Sequence, residues 1–222
     1  MKLRLAALLA CMALSAPLAA QQFDTISFGV DGGYPPFDVL APSGEITGFD
    51  IDIANALCTQ LKAKCVFVKQ PFESMIAALN AHKFDAIIAS LNMTDARKKE
   101  VDFTDRYYRS AAQLVARKGS PLLPEVASLK GKTVGVQTGS THEAFAKANW
   151  ANHGVKIVSY ANQDNVYLDL LSGRIDAALQ DNIQAATGFI DTPRGQKFAF
   201  AGPVIQDGGI SSDVGIAVNK DN

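Results

Sequence analysis

Apolar residues along this chain fall into short runs that alternate between two spacings. "ISFGV" at 26–30, "VFV" at 66–68, "FDAII" at 84–88, "TVGV" at 133–136, "IVSY" at 157–160 and "IDAAL" at 175–179 are compact stretches between polar or turn residues, the mark of buried strands. Between them, Met75, Ile76 and Leu79, and later Val166, Leu170 and Leu171, recur at helical spacing.

The alternation repeats. "VFVKQPFESMIAALNAHKFDAIIAS" from Val66 aligns without a gap on "IVSYANQDNVYLDLLSGRIDAALQD" from Ile157, 91 residues later. Upstream, "ISFGV" and "KTVGV" each precede a loop of small residues and a helix. The pattern predicts an α/β fold of two βαβαβ lobes, with parallel sheets covered on both faces. Residues 21–110 form the expected first lobe and 111–206 the second. The extended stretch from Ser110 to Ala116 carries the chain across, and "DVGIAVN" within 207–222 brings it back. No helical pattern follows that last strand, so the C-terminal part of lobe one is expected to be missing from the sequence.

Residues 1–20, "MKLRLAALLACMALSAPLAA", carry Lys2 and Arg4, then an apolar stretch, then small residues, which predicts a cleaved signal peptide and an exported protein. "LLAC" at 8–11 has the outline of a lipoprotein box, but cleavage before Cys11 leaves about six apolar residues, below the usual range of roughly 7–15. Without the leader, nineteen basic residues face twenty-two acidic ones, a formal charge of −3. That balance argues against nucleic acid or an anionic membrane as partner. Cys58 and Cys65 then remain in an oxidising compartment, and a disulfide is the expected pairing over two reduced core thiols. Its short loop is worth about 2.5 kcal/mol in the chain-entropy account.

In open α/β sheets, ligands bind beyond the carboxyl ends of the strands. That rule selects "DGGYPPF" at 31, "SLNMTDAR" at 90, "QTGSTHE" at 137 and "DN" at 181, and Ser90 and Asp181 are equivalent in the two copies. Thr94 can cap a short helix that holds Arg97, an anion-binding arrangement aimed back at Ser90 and Asn92. Ser140 and Glu143 have capping-box spacing, with Thr141 the candidate contact beside them. Asp181 and Asp31 offer carboxylates to cationic groups; Asp181 can equally cap the helix after it. Tyr34 and Phe72 can sandwich an aliphatic stem, with Pro35 and Pro36 stiffening the support, although Phe72 also suits a core position.

Catalytic and metal signatures fail. "GKT" at 131–133 has Val126 where a phosphate loop needs glycine, "HEAFA" at 142–146 lacks a second zinc histidine, and no G-x-S-x-G occurs. No cofactor is implied.

"GVDGGYPPF", "GEITGFDIDIANALC", "FDAIIASLNMTDARKKEVDFTD", "LKGKTVGVQTGST" and "YANQD…GRIDAALQD" together resemble the family 3 extracellular solute-binding proteins of amino acid ABC importers, above all the lysine/arginine/ornithine and histidine binders. The resemblance spans essentially the whole chain after the leader. It implies a type II periplasmic binding protein fold, a monomer without enzymatic activity that closes on one amino acid in the periplasm and hands it to a membrane permease. By position it implies that Arg97, helped by Asn92 and Thr141, clamps the α-carboxylate, while Asp181 and Ser90 take the α-ammonium. Asp31 would meet the distal cation, Tyr34 and Phe72 the stem, with Leu91 and Gln137 in the same lining. Cys58 and Cys65 match the disulfide of the basic amino acid binders. Ala89 and Asn92 replace serines of the nearest relatives, Gln137 an aliphatic residue and His142 an amide, so an opine or glutamine stays open as ligand. A secreted cyclohexadienyl dehydratase of the same fold, or a receptor's sensory module, are the competing readings.

Overall fold

The computed structural model describes residues 24–205, 210 and 213–221. The expected signal peptide, Cys11 and most of 206–212 lie outside the described residues. The fold is α/β, built on two five-stranded mixed sheets.

The first sheet runs in the order Lys64–Lys69, Thr25–Val30, Ala86–Ile87, Ala217–Val218, Asp102–Phe103. The second runs Lys156–Tyr160, Thr133–Gln137, Ala177–Asp181, Ala112–Arg117, Phe198–Phe200. In each, the first three strands are parallel and the fourth is antiparallel to both neighbours. The expectation of wholly parallel sheets is therefore corrected. The antiparallel strand is the one entered directly from the other sheet, without the helical crossover that parallel neighbours require. Residues 104–111 make the first passage, and the strand Asp213–Val214 pairs antiparallel with Tyr108–Arg109 beside it.

The 91-residue repeat is visible in packing detail. Phe28 and Gly29 pair with Ala86 and Ile87, as Val134 and Gly135 pair with Ala177 and Ala178. A Cβ on Gly29 would lie 2.5 Å from the Phe84 ring, and one on Gly135 would lie 2.5 Å from Cδ1 of Ile175. Phe84 and Ile175 are themselves 91 positions apart. Each unit thus needs a central glycine so that the apolar residue two positions before its third strand can cross the sheet face.

Four buried clusters flank the two sheets, pairing one on each face. Phe28, Val30, Ile51, Ala54 and Ile88 fill one side of the first sheet, and Met75, Leu79, Phe84, Ile87 and Leu91 the other. Trp150 anchors one side of the second sheet, and Tyr167, Phe189 and Phe198 the other. The helix Phe49–Leu61 starts after Gly48, whose φ of 128° and close approach to the Phe37 carbonyl exclude a side chain. It buries Asp50, Ile51, Ala54 and Cys58, and ends on Lys62 in the left-handed region.

Cys58 and Cys65 are bonded, with Cα atoms 5.8 Å apart, and tie the end of that helix to the edge strand Lys64–Lys69. Replacing both with alanine should lower the unfolding free energy by about 2.5 kcal/mol, because the bridge closes only a short loop. Urea unfolding of the two forms measures this, and an unchanged midpoint would show that the bridge constrains nothing in the unfolded chain.

Candidate functional site

Both sheets present the carboxyl ends of their parallel strands to one cleft. Asp31 follows the strand Thr25–Val30; Gln137 and Asp181 end their strands in the second sheet. Asp31, Tyr34, Phe72, Ser90, Asn92, Gln137 and Asp181 line a common cavity, together with Ala89, Ser140, His142 and Gln163. Its free volume is about 20 Å³, roughly what one water needs. The protein's own side chains fill the rest.

Bonds between the two sides do the filling. Tyr34 donates its hydroxyl to Oδ2 of Asp181 at 2.5 Å, and Gln137 donates Nε2 to Oδ2 of Asp31 at 3.2 Å. Thr141 donates its hydroxyl to Oδ1 of Asn92 at 3.2 Å. The Arg97 guanidinium donates to the carbonyls of Asn92 at 2.9 Å and Gly139 at 3.0 Å, and lies 5.6 Å above the Phe72 ring. Gln184 donates to the Pro35 carbonyl at 2.9 Å, where a Cβ on Gly188 would come within 2.1 Å of the same oxygen. Only glycine admits that approach.

Local sequence explains the placements. Thr94 accepts from the backbone N–H of Arg97 and starts the short helix Asp95–Lys98, turning the guanidinium toward the cleft. Ser140 accepts from Glu143 N–H, but the Glu143 carboxylate accepts from Gly139 rather than from Ser140, so the expected box is shifted by one residue. Asp181 holds the cap position of the next helix without a capping bond; its side chain is spent on Tyr34 instead. Ser90 sits at φ 52° and gives both its N–H and its hydroxyl to Asp50, at 2.7 and 3.0 Å. Leu91 turns its side chain into the core beneath the cleft rather than into the lining. Tyr34 stacks on Phe37, at 5.9 Å, while Phe72 faces the cavity with Met75 and its neighbours behind it.

The electrostatics are those of buried acids beside the half-buried guanidinium of Arg97. Burial raises Asp31 to about 6, against hydrogen bonds from Gln137 and the Phe72 backbone. Burial and the nearby Asp50 and Asp31 raise Asp38 to about 8, and burial raises Asp50 to about 6. Burial lowers Arg97 to about 10, with Asp181 acting against it, so the guanidinium stays charged at neutral pH. Among the described residues, no group of His, Cys, Asp and Glu is placed to hold a metal, and no helix is long and apolar enough to cross a membrane.

The sequence profile of the bacterial extracellular solute-binding proteins, family 3, matches residues 26–221. The chain belongs to that family. It is 46% identical over 200 residues to the lysine/arginine/ornithine-binding periplasmic protein of Escherichia coli, covering 90% of this chain and 77% of the relative. It is 47% identical over 182 residues to the histidine-binding periplasmic protein of Salmonella typhimurium, covering 82% of this chain and 70% of the relative. A solved ancestral arginine-binding protein bound to arginine superposes with a TM-score of 0.82 at 34% identity, covering 90% of this chain and 87% of that one.

Asp50 was not among the residues selected from sequence. It looked like an ordinary first-turn acid, yet Asp50, Ala54 and Cys58 stand at i, i+4 and i+8 on the buried face. An acid on an apolar stripe is the signal that could have found it. Its carboxylate holds Ser90 and the Tyr107 hydroxyl, the latter at 2.8 Å.

Asp31, Asp38 and Asp50 all have folded pKa values above the ordinary 3.8. The stability they contribute is therefore full in acid and lost as pH rises through about 6 and then 8. The acids held low by partners, Asp169, Asp213 and Glu143, stay ionised across that window. Ligand-free protein should melt at a higher temperature at pH 5.5 than at pH 8.5 in scanning calorimetry. The opposite order would mean that the buried carboxyls remain ionised and paired.

Proposed function

We propose that the protein is the periplasmic substrate-binding component of an amino acid ABC importer, and that its ligand is a cationic amino acid, with arginine, lysine and ornithine ahead of histidine. One observation carries the reading. Asp31 and Asp181, both buried, line one closed cavity, and the half-buried guanidinium of Arg97 stands at its wall, bonded to the Asn92 carbonyl and lining the adjoining groove with Ser140 and Thr141. That set is the charge complement of a molecule with one carboxylate and two cationic groups.

In this reading the two sheets and their helices are the two lobes of a type II binding protein, joined by the paired segments around Tyr108–Arg109 and Asp213–Val214. Arg97 takes the ligand carboxylate in a bidentate fork, with Asn92 and Thr141 beside it. Asp181 takes the α-ammonium and exchanges the Tyr34 hydroxyl for it. Asp31 exchanges the Gln137 amide for the distal cation, and Phe72 and Tyr34 cover the stem. Ser90, its side chain held by Asp50, offers its backbone carbonyl, and Leu91 supports the loop from below. Burial that raises the Asp31 pKa also makes a cation there worth more than it would be in water. The names of the relatives, amino acid-binding and periplasmic, support capture of an amino acid in the periplasm; to this the proposal adds a monomer without catalytic activity, exported by a signal peptide at 1–20, that delivers its ligand to a membrane permease. Two acids in the cleft weigh against the anionic substrate of a dehydratase.

Titration calorimetry at pH 7.5 with arginine, lysine, ornithine, histidine and glutamine tests this. The cationic ligands should bind more tightly than glutamine. Asp31→Asn should weaken arginine by at least about tenfold while changing glutamine little, and Arg97→Lys should weaken every ligand by about thirtyfold or more. No heat from any of the five would overturn the assignment; equal weakening of arginine and glutamine by Asp31→Asn would remove Asp31 from specificity.

A further inference from the structure

His142 opens the helix Thr141–Asn149 and lines the cleft, 5% exposed. Its Nε2 is buried and has no hydrogen-bond partner among the described residues. The atom lies 3.7 Å from Oδ1 of Asp181, just beyond a hydrogen bond. Tyr34 holds the other carboxylate oxygen. A buried polar nitrogen left without a partner costs about 1–3 kcal/mol, so this one is poised to gain from whatever completes it. Only a short shift separates it from Asp181.

We infer that His142 is a proton-operated competitor for Asp181: neutral, it leaves Oδ1 to the ligand's α-ammonium; protonated, it pairs with Oδ1 itself and drives the ligand out. The inference rests on the proposed role of Asp181. It makes ligand capture dependent on the pH outside the cell.

The surroundings set the direction. Burial lowers the His142 pKa below its ordinary 6.5; Asp181, from the end of its strand, acts against this, and Arg97, from the helix Asp95–Lys98, acts with it. Tyr34 reaches Asp181 from the strand Gly33–Tyr34 but stays neutral, its pKa well above 10. Glu143, next on the same helix, is engaged by Lys147, Ser159 and Gly139. Asp31, across the cleft, titrates at about 6 and would also weaken a dicationic ligand in acid. His142 is thus neutral at pH 7.5, where the site is competent. An ammonium on Asp181 adds a cation beside the imidazole and depresses its pKa further. Linkage makes the effect reciprocal: proton and ligand each weaken the other.

Calorimetry with L-arginine from pH 7.5 to pH 4.5, on the wild type and on His142→Gln, isolates the histidine, because the contribution of Asp31 is common to both and cancels in their ratio. Affinity of the wild type should fall about tenfold further than that of the variant across the range. Parallel profiles would overturn the inference while leaving the amino acid reading intact, since arginine would still bind at pH 7.5. Absence of arginine binding at pH 7.5 in the wild type would overturn both. Should His142→Gln fail to fold, histidine NMR on the wild type decides. The resonances of His82 and His153, both exposed, are assigned with His82→Gln and His153→Gln. The remaining histidine should titrate lower with saturating arginine than without it. An unchanged midpoint would overturn the proposal.

Discussion

The cleft is governed by the cost of burying carboxylates. An acid removed from water must find a cation, collect donors or take up a proton. Here Asp50 collects Ser90 and Tyr107, Asp38 collects the backbone N–H groups of Asp31 and Tyr34, and Asp181 and Asp31 reach across the cleft for Tyr34 and Gln137. The first two arrangements are internal and permanent. The last two are makeshift, a phenol and an amide standing where a full positive charge would gain more. The proposed binding mode rests on that difference.

The rest of the structure makes the difference usable. The 91-residue repeat places equivalent strand ends opposite one another, so Ser90 and Asp181, though chemically unlike, occupy matching positions. Gly29 and Gly135 let each unit's third strand lie against its first. Gly188 lets the Pro35 carbonyl approach the opposing helix, and a Cβ on Gly139 would come within 2.8 Å of the Glu73 Cα. Where the two sides meet, the contacts include polar side chains, backbone carbonyls and glycine. In the proposed reading these contacts part to admit and release the ligand.

Much of this was legible in the sequence. Strand and helix periodicity exposed the repeat, and the repeat pointed to the strand ends that carry Asp31, Gln137 and Asp181. The caps at Thr94 and Ser140 were legible because each is a local rule, a hydroxyl three residues ahead of the N–H it accepts. Less legible were features that depend on pairing between distant segments. The antiparallel fourth strands arise from passage between sheets, which periodicity does not encode. Asp50 was hidden because only the folded helix reveals that it shares the face of Ala54 and Cys58. The Tyr34–Asp181 bond joins residues 147 positions apart, and no local pattern announces it.

The central claim is that the two sheets close around the ligand, since the proposed contacts divide between them: Asp31, Phe72 and Arg97 on one side, Gln137, Thr141 and Asp181 on the other. A ligand that touches both sides binds the closed form better and must draw the population toward it. Small-angle X-ray scattering on the ligand-free protein and with saturating arginine tests this most directly. The account predicts a smaller radius of gyration with arginine bound. An identical radius in the two states, with binding confirmed in the same samples, would contradict it.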